Sequence, residues 1–376
     1  MNKRLYWYWL CNIKGIGLKK TKDLLNVFKS PEGVWLAKEK DYKHILSLRP
    51  IDIKNIVCSK NRDEIKKSYQ ELVTRNIRFI THDDSCYPTI LKEIYDPPFG
   101  LYVKGSLPNA DFPTIAIIGA RRCSTYGKEM AMYFARELAK KGFQIISGLA
   151  RGIDTAAHIG ALKANKKTFG ILGNGLNICY PKENYKLYME MEQNGGIISE
   201  YNININPSPG NFPLRNRIIS GMCQGIFVVE AAKKSGSLIT AELGLENGKD
   251  IFALPGRNTD PLSEGTNDLI KMGAKMVTKV DDIIEEFNYN SIPNSNGGDL
   301  CSKQKGTIKI QNDNVLELLN NTERIVYACL SLEPKHIDDI ACELNMKIQD
   351  IMHILFVLEM KSIIKQLPNK HFIINL

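Results

Sequence analysis

The residues best equipped for chemistry are cations, hydroxyls and aromatics set in glycine- and proline-rich turns. Gly119-Ala120-Arg121-Arg122-Cys123-Ser124 offers glycine amides, guanidinium groups and a hydroxyl immediately after an apolar run. Arginine makes bidentate, charge-assisted contacts to phosphate, and helix N-termini favour anions. Arg121, close to the glycine, is read as a phosphate ligand, and Arg122 as the partner of a nearby carboxylate. A second group is Gly173-Asn-Gly-Leu-Asn-Ile-Cys-Tyr180-Pro181-Lys182. Pro181 fixes a turn and Lys182 opens a helix, where the dipole disfavours a cation and an anion partner offsets that cost. In the third, Pro207-Ser-Pro-Gly-Asn-Phe212-Pro-Leu-Arg215-Asn216-Arg217, a loop presents one aromatic before two arginines that flank an amide. Stacking combined with arginine–phosphate contact is the chemistry of single-stranded nucleic acid sites, where each stacked base contributes ~1–3 kcal/mol. The alternative makes Phe212 a core anchor of the loop and the arginines a capping network. Ser235-Gly-Ser237-Leu-Ile-Thr240-Ala-Glu242 is a hydroxyl-rich helix start, suited to an oxyanion or to plain N-capping.

These turns need elements that bring them together. From Thr114, short apolar runs alternate with amphipathic stretches: Ile115–Gly119, Phe143–Gly148, Phe169–Gly173, Ile197–Glu200, Ile226–Glu230 and Ile251–Gly256. That alternation predicts an α/β fold with a parallel sheet covered on both faces. Such sheets bind ligands outside the carboxyl ends of their strands, here Gly119, Ser147, Gly148, Gly173, Glu200 and Glu230. The first turn lacks the second glycine of G-x-G-x-x-G, no acidic residue closes the second strand, and no G-x-x-x-x-G-K-[ST] occurs. Nicotinamide and ATP sites thereby lose their main support, and no cofactor is expected.

The flanks read differently. Residues 1–111 are expected to form a helical N-terminal domain. Within it, Gly15-Ile-Gly17 precedes Lys19, Lys20 and Lys22 as in a helix-hairpin-helix, which either approaches a phosphate or simply turns the chain. Residues 112–287 hold the sheet, 288–316 read as a linker rich in Asn, Ser, Gly and Pro, and 317–376 as a winged helix. The helices of that last unit are expected over Thr322–Leu332, Ile337–Leu344 and Ile348–Lys361, followed by a hairpin; a small three-helix bundle with a frayed tail is the alternative.

At 376 residues the chain has room for two or three domains, and 43% hydrophobic residues supply a core without disulfides or a structural metal. The net charge of +9 is front-loaded: residues 1–111 carry 20 basic and 13 acidic side chains, 112–287 carry 21 and 18, and 288–376 carry 9 and 10. A polyanion partner is permitted but not required by this excess. Nine scattered cysteines with no C-x-x-C argue against a disulfide framework and a zinc site, and free thiols fit a reducing cytosol. The apolar run Leu5–Leu10 is too short for a signal-peptide core or a membrane span. A cytoplasmic protein with no membrane contact is expected.

Taken in order, Gly119-Ala-Arg121, Ser147-Gly-Leu-Ala-Arg-Gly-Ile-Asp154-Thr-Ala-Ala-His158, Tyr180-Pro-Lys182, Phe212-Pro-Leu-Arg-Asn-Arg217, Ser235-Gly-Ser-Leu-Ile-Thr240, Phe252-Ala-Leu-Pro-Gly256 and Ser263-Glu-Gly resemble the DNA-processing protein A (DprA/Smf) family. The resemblance spans about 112–287, and the flanks look like that family's helical N-terminal domain and winged helix. It implies an extended Rossmann-like fold that binds single-stranded DNA, forms a homodimer and loads RecA recombinase onto the strand in natural transformation, without catalysis. The DNA-binding set it implies is Gly119, Arg121, Ser147, Gly148, Lys182, Phe212, Asn216, Arg217 and Ser237. Phosphate contact falls to Arg121 and Lys182, base stacking to Phe212, and pocket support to Asn216 and Arg217. Asp154 and His158 are given capping and packing roles. Two other classes stand beside this reading. One is a nucleoside-monophosphate hydrolase using Glu200, Glu230 and Glu242 as acid/base groups, although the chain has Leu254-Pro-Gly-Arg where that group carries a Gly-rich loop. The other is a scaffold that contacts the recombinase alone.

Overall fold

The computed structural model describes residues 1–287 and 319–375. The linker expected over 288–316 lies outside the described residues. The apolar runs, dominated by β-branched residues, form strands because such side chains fit a pleated surface covered on both faces. The strands are β1 (Ile77–Thr81), β2 (Gly100–Gly105), β3 (Thr114–Ile118), β4 (Gln144–Ser147), β5 (Thr168–Leu172), β6 (Gly195–Ser199), β7 (Gly225–Val228), β8 (Asp250–Ala253) and β9 (Lys275–Met276). They build one sheet in the order β1-β2-β6-β5-β4-β3-β7-β8-β9. From β6 to β9 all pairings are parallel, whereas β2 runs antiparallel to β6 and β1 antiparallel to β2.

Alternation along each strand assigns the two cores. Ile115, Ile117, Ile145, Phe227 and Phe252 meet Ala131, Phe134 and Leu138 of the helix Thr125–Lys140 and Ala156, Ala157 and Ala161 of the helix Ile153–Lys163. Ala116, Ile118, Ile146, Ile171, Ile226 and Val228 face Ile218 and Ile219 of the helix Asn211–Gly221 and Ala241 of the helix Gly236–Glu246. Complete burial of a side chain such as Phe134 contributes about 1.5–3 kcal/mol. Because β4 to β6 lie on one side of β3 and β7 to β9 on the other, the chain reverses direction across the sheet at β3. In open α/β sheets that reversal leaves a crevice at the strand ends.

The N-terminal unit departs from the expectation of a helical domain over 1–111. Helices Lys3–Cys11, Leu18–Phe28, Pro31–Leu36, Pro50–Cys58 and Arg62–Thr74 are present, but β1 and β2 belong to the large sheet. The reason is that β6 would otherwise expose a row of unpaired backbone groups, and Tyr102–Gly105 pairs with it. The aromatic run near the start lies in the helix Lys3–Cys11, with Tyr6, Trp7, Tyr8, Trp9 and Leu10 all buried. Among the described residues no helix is long and apolar enough to cross a membrane.

The last unit has helices Asn321–Ala328, Ile337–Leu344 and Ile348–Met360 and a sheet of β10 (Lys335–His336), β11 (Ile364–Leu367) and β12 (His371–Ile374) in the order β10-β12-β11. This is a winged helix. Its hairpin turns at Pro368-Asn369-Lys370, where Asn369 and Lys370 take positive φ of 58° and 55°. The first helix ends before the expected Leu332, with Ser331–Pro334 leading into β10.

Candidate nucleic-acid interface

At the carboxyl ends of β3, β4 and β5 an open crevice of about 550 Å³ continues into a recess of about 30 Å³. Gly119, Arg121, Phe212, Asn216 and Ser237 line the first, and Gly148 and Gly173 the second; Arg121, Tyr180, Phe212 and Arg215 line both. Six of the nine residues expected at the site are thus brought together.

The strand-end glycines permit close approach. A Cβ on Gly148 would stand 2.5 Å from Nη1 of Arg215 and 2.7 Å from Oδ2 of Asp154; one on Gly173 would stand 2.9 Å from Cδ1 of Phe212. At Gly119 it would meet the Glu230 carbonyl oxygen and Cγ1 of Ile153, both at 2.7 Å. The absence of a side chain therefore lets the arginine and the aromatic lie directly on the strand ends.

Phe212 enters on the first turn of the helix Asn211–Gly221 and is half-buried. Tyr180, 39% exposed, stacks on it with ring centroids 5.7 Å apart and an interplanar angle of 30°. The guanidinium carbon of Arg121 lies 5.1 Å from the Phe212 centroid and that of Arg215 6.0 Å from it. Cation–π attraction is worth ~0.5–2 kcal/mol, the more so as the site is desolvated. Arg121 is exposed, with its charge available to a ligand. Arg215 is buried: its Nη1 donates to the carbonyls of Gly148, at 2.7 Å, and Ile171, and its Nε to Asn216 Oδ1 at 3.2 Å. Burial lowers its pKa to about 10; the Asp154 carboxylate opposes that fall and the Arg121 charge adds to it. Its guanidinium is held by these acceptors and sets positive charge at the base of the crevice, beneath Phe212.

Asp154, on the first turn of the helix Ile153–Lys163, accepts from the amides of Gly148 (3.1 Å) and Ala150 (3.4 Å) and so holds the loop after β4. Burial pushes its pKa up, against the pull of Arg215 and these amides. His158 on the same helix is buried, its Nδ1 2.7 Å from Thr168 Oγ1. On the far wall Ser235 accepts from the amide of Ser237 (3.4 Å) and caps the helix Gly236–Glu246; the two hydroxyls are 2.8 Å apart.

Three expected residues lie elsewhere. Ser147 is wholly buried and donates to the Ile117 carbonyl at 2.7 Å, which ties β4 to β3. Arg217 turns away to pair with Glu200 and donates to the Asp96 carbonyl at 2.7 Å. Positions two apart on a helix point in nearly opposite directions, so of the arginines flanking Asn216 only Arg215 reaches the crevice. Lys182 is exposed at the start of the 3-10 turn Lys182–Asn184, beside the recess that Pro181 lines rather than within it. Arg215 and Tyr180 were therefore missing from the expected set. Helical phase was the available signal for the first; for the second it was the aromatic before Pro181.

The imagined acid/base carboxylates do not converge on the crevice. Glu200 is tied to Arg217, while Glu230 accepts from the amide and hydroxyl of Ser124; burial raises both pKa values. Glu242 is exposed on the helix Gly236–Glu246. Among the described residues no group of three or more His, Cys, Asp or Glu has the placement to hold a metal ion.

Fold and site together define a Rossmann-like α/β protein with a cationic, aromatic crevice at its strand ends and an appended winged helix. A family model for the DNA recombination-mediator protein A matches residues 78–288, and one for the DprA winged helix domain matches 314–370. The chain is 45% identical over 206 residues to the DNA processing protein DprA of Streptococcus pneumoniae, covering 55% of this chain and 73% of that protein. The X-ray structure of DprA from S. pneumoniae superposes with a TM-score of 0.67 at 34% identity, over 76% of this chain and 99% of that one. A structure of DNA processing protein A from Helicobacter pylori, described for its single-stranded DNA binding mode, gives 0.52 at 34% identity over 57% and 97%. The chain belongs to the DNA recombination-mediator protein A family.

Proposed function

We propose that this protein binds single-stranded DNA in the strand-end crevice and acts, as a homodimer and without catalysis, as a cytoplasmic recombination mediator that loads RecA recombinase onto the strand in natural transformation. The observation that carries the reading is the convergence of Arg121 and Arg215 on the stacked Phe212–Tyr180 pair. Phosphate meets the exposed Arg121, with Lys182 beside the recess as a second contact, and bases stack on the aromatic pair. Gly119, Gly148 and Ser237 keep the backbone and a hydroxyl close to the strand; Asn216 holds Arg215 in place. The single-strand binding mode described for the H. pylori relative supports the same ligand class. Non-enzymatic action is favoured because Glu200 and Glu230 are committed to Arg217 and Ser124 and not aimed at the crevice.

Fluorescence anisotropy with labelled oligo-dT and with duplex tests the reading. The protein should prefer the single strand, and Arg121→Ala/Lys182→Ala should weaken that binding roughly tenfold or more, since charge-assisted hydrogen bonds are lost. Equal affinity for duplex and single strand, or an unaffected double variant, would overturn the site. Turnover of a nucleoside monophosphate by the wild-type protein would instead establish the hydrolase. RecA loading is read separately, as faster RecA filament growth on strands precoated with single-strand-binding protein.

A further inference from the structure

The loop Glu93-Ile94-Tyr95-Asp96-Pro97-Pro98 joins the short helix Thr89–Lys92 to β2 and carries a feature that the crevice does not use. Tyr95 is 85% exposed, although its neighbour Ile94 is buried. Tyrosines that anchor loops bury their rings; this one presents its ring to solvent on a rigid mount. The two prolines restrict the backbone, Ile94 packs against the helix Asn211–Gly221 at Gly221, and Arg217 of that helix donates to the Asp96 carbonyl at 2.7 Å. Above the ring lies Nζ of Lys22, 5.4 Å from the centroid. Lys22 belongs to the helix Leu18–Phe28, where exposed Lys19 lies one turn earlier.

The mount places this pair near the crevice. Arg217 follows Phe212 by five residues on one helix, a rise of about 8 Å. Its partner Glu200 directly follows β6, whose neighbour β5 ends at the crevice. Tyr95, between Ile94 at Gly221 and Asp96 at Arg217, therefore stands along this helix on the β6 flank, where Lys22 of the basic N-terminal unit adjoins it. An exposed ring with an ammonium beside it, next to an open cationic crevice, has the chemistry of a further base platform with its phosphate contact.

We propose that Tyr95 and Lys22 form a second contact for the same single strand, extending its path from the crevice onto the N-terminal unit. The proposal rests on the crevice binding single-stranded DNA. Anisotropy with oligo-dT of roughly six and roughly twenty nucleotides separates the two sites, since a short strand fills only one of them. Tyr95→Ala should weaken binding of the long strand about tenfold and leave the short one unchanged, and Tyr95→Phe should retain wild-type affinity because stacking needs only the ring. Lys22→Gln should lower the slope of log K against log salt by about 0.7 for the long strand alone. Wild-type affinity of Tyr95→Ala for the long strand, where Arg121→Ala is weakened, would overturn the platform and leave the crevice intact. A wild-type protein that binds neither strand would overturn both.

Discussion

Three arginines on neighbouring loops and helices are given three different tasks by their surroundings. Arg121 is exposed and free to meet a ligand, Arg215 is buried among carbonyls at the base of the crevice, and Arg217 holds Glu200 on the other side of the helix. The last pair has side-chain exposures of only 11% and 19%, so it is largely desolvated. Removing one member of such a pair leaves a charge with no partner and costs about 3–5 kcal/mol in buried settings. Arg217→Ala should therefore lower the unfolding free energy by about 3 kcal/mol in urea titrations, with the salt dependence of DNA binding unchanged. Arg121→Ala should do the reverse. Stability should stay within ~0.5 kcal/mol, as for exposed positions generally, while the salt slope falls by about 0.7.

At the scale of elements, the helix Ile153–Lys163 shows how a short polar motif is used to build rather than to react. Thr168 Oγ1 donates to the Ile145 carbonyl at 2.9 Å, so it accepts from His158 Nδ1–H and leaves Nε2 as an unprotonated acceptor in apolar surroundings. Burial, with the Arg215 charge adding, depresses the His158 pKa from 6.5 to about 3. The unfolded chain takes up this proton below about 6.5 and the folded one only near 3. The stability contributed is complete above 6.5 and lost as pH falls toward 3. His158→Gln removes that titration, so between about pH 6 and 4 the wild type should lose up to ~1.4 kcal/mol per pH unit relative to the variant in denaturant melts. Identical pH slopes would place the imidazole in a wetter site than the fold gives it. The last helix of the winged unit, Ile348–Met360, illustrates the opposite case. It carries Asp350 and Glu359 but neither lysine nor arginine, and it exposes Ile348, Met352, Phe356 and Met360 at four-residue intervals. Such a face offers phosphate no cation.

For the molecule as a whole, the winged helix rests against the helix Thr125–Lys140 across a cleft of about 930 Å³. Lys365 of β11 meets Glu129 at 3.0 Å, and Arg257 meets Glu333 at 2.7 Å. The second pair is well exposed and contributes about 0–1 kcal/mol. Glu129 is buried, which makes the first pair the stronger tie. Lys365→Glu should place two carboxylates in contact and loosen the docking, read as a larger radius of gyration in small-angle scattering. Glu129→Lys/Lys365→Glu should restore the wild-type value. An unchanged radius in the single variant would mean that apolar packing across the cleft, not charge, sets the position.

What the sequence determined by itself was local and periodic. Runs such as Ile115–Ile118 and Ile226–Val229 are apolar on both faces, which only a doubly covered sheet accommodates. Glycines and prolines between strands and helices marked the turns that end at the site, and Arg121 and Phe212 were legible because each stands in such a turn. The ordered motifs from Gly119-Ala-Arg121 to Ser263-Glu-Gly carry the resemblance to the family by themselves. Tertiary structure alone decided which side chains share a space. Arg215 and Arg217 are equivalent as letters, yet one faces Gly148 and the other Glu200, because helical phase acquires meaning only once the helix Asn211–Gly221 is docked on the sheet. The attachment of β1 and β2 to β6, and the nearness of Lys22 to Tyr95, are contacts between distant parts of the chain. Pairings of that kind depend on which edges and faces remain open after the rest has packed, and no local pattern records them.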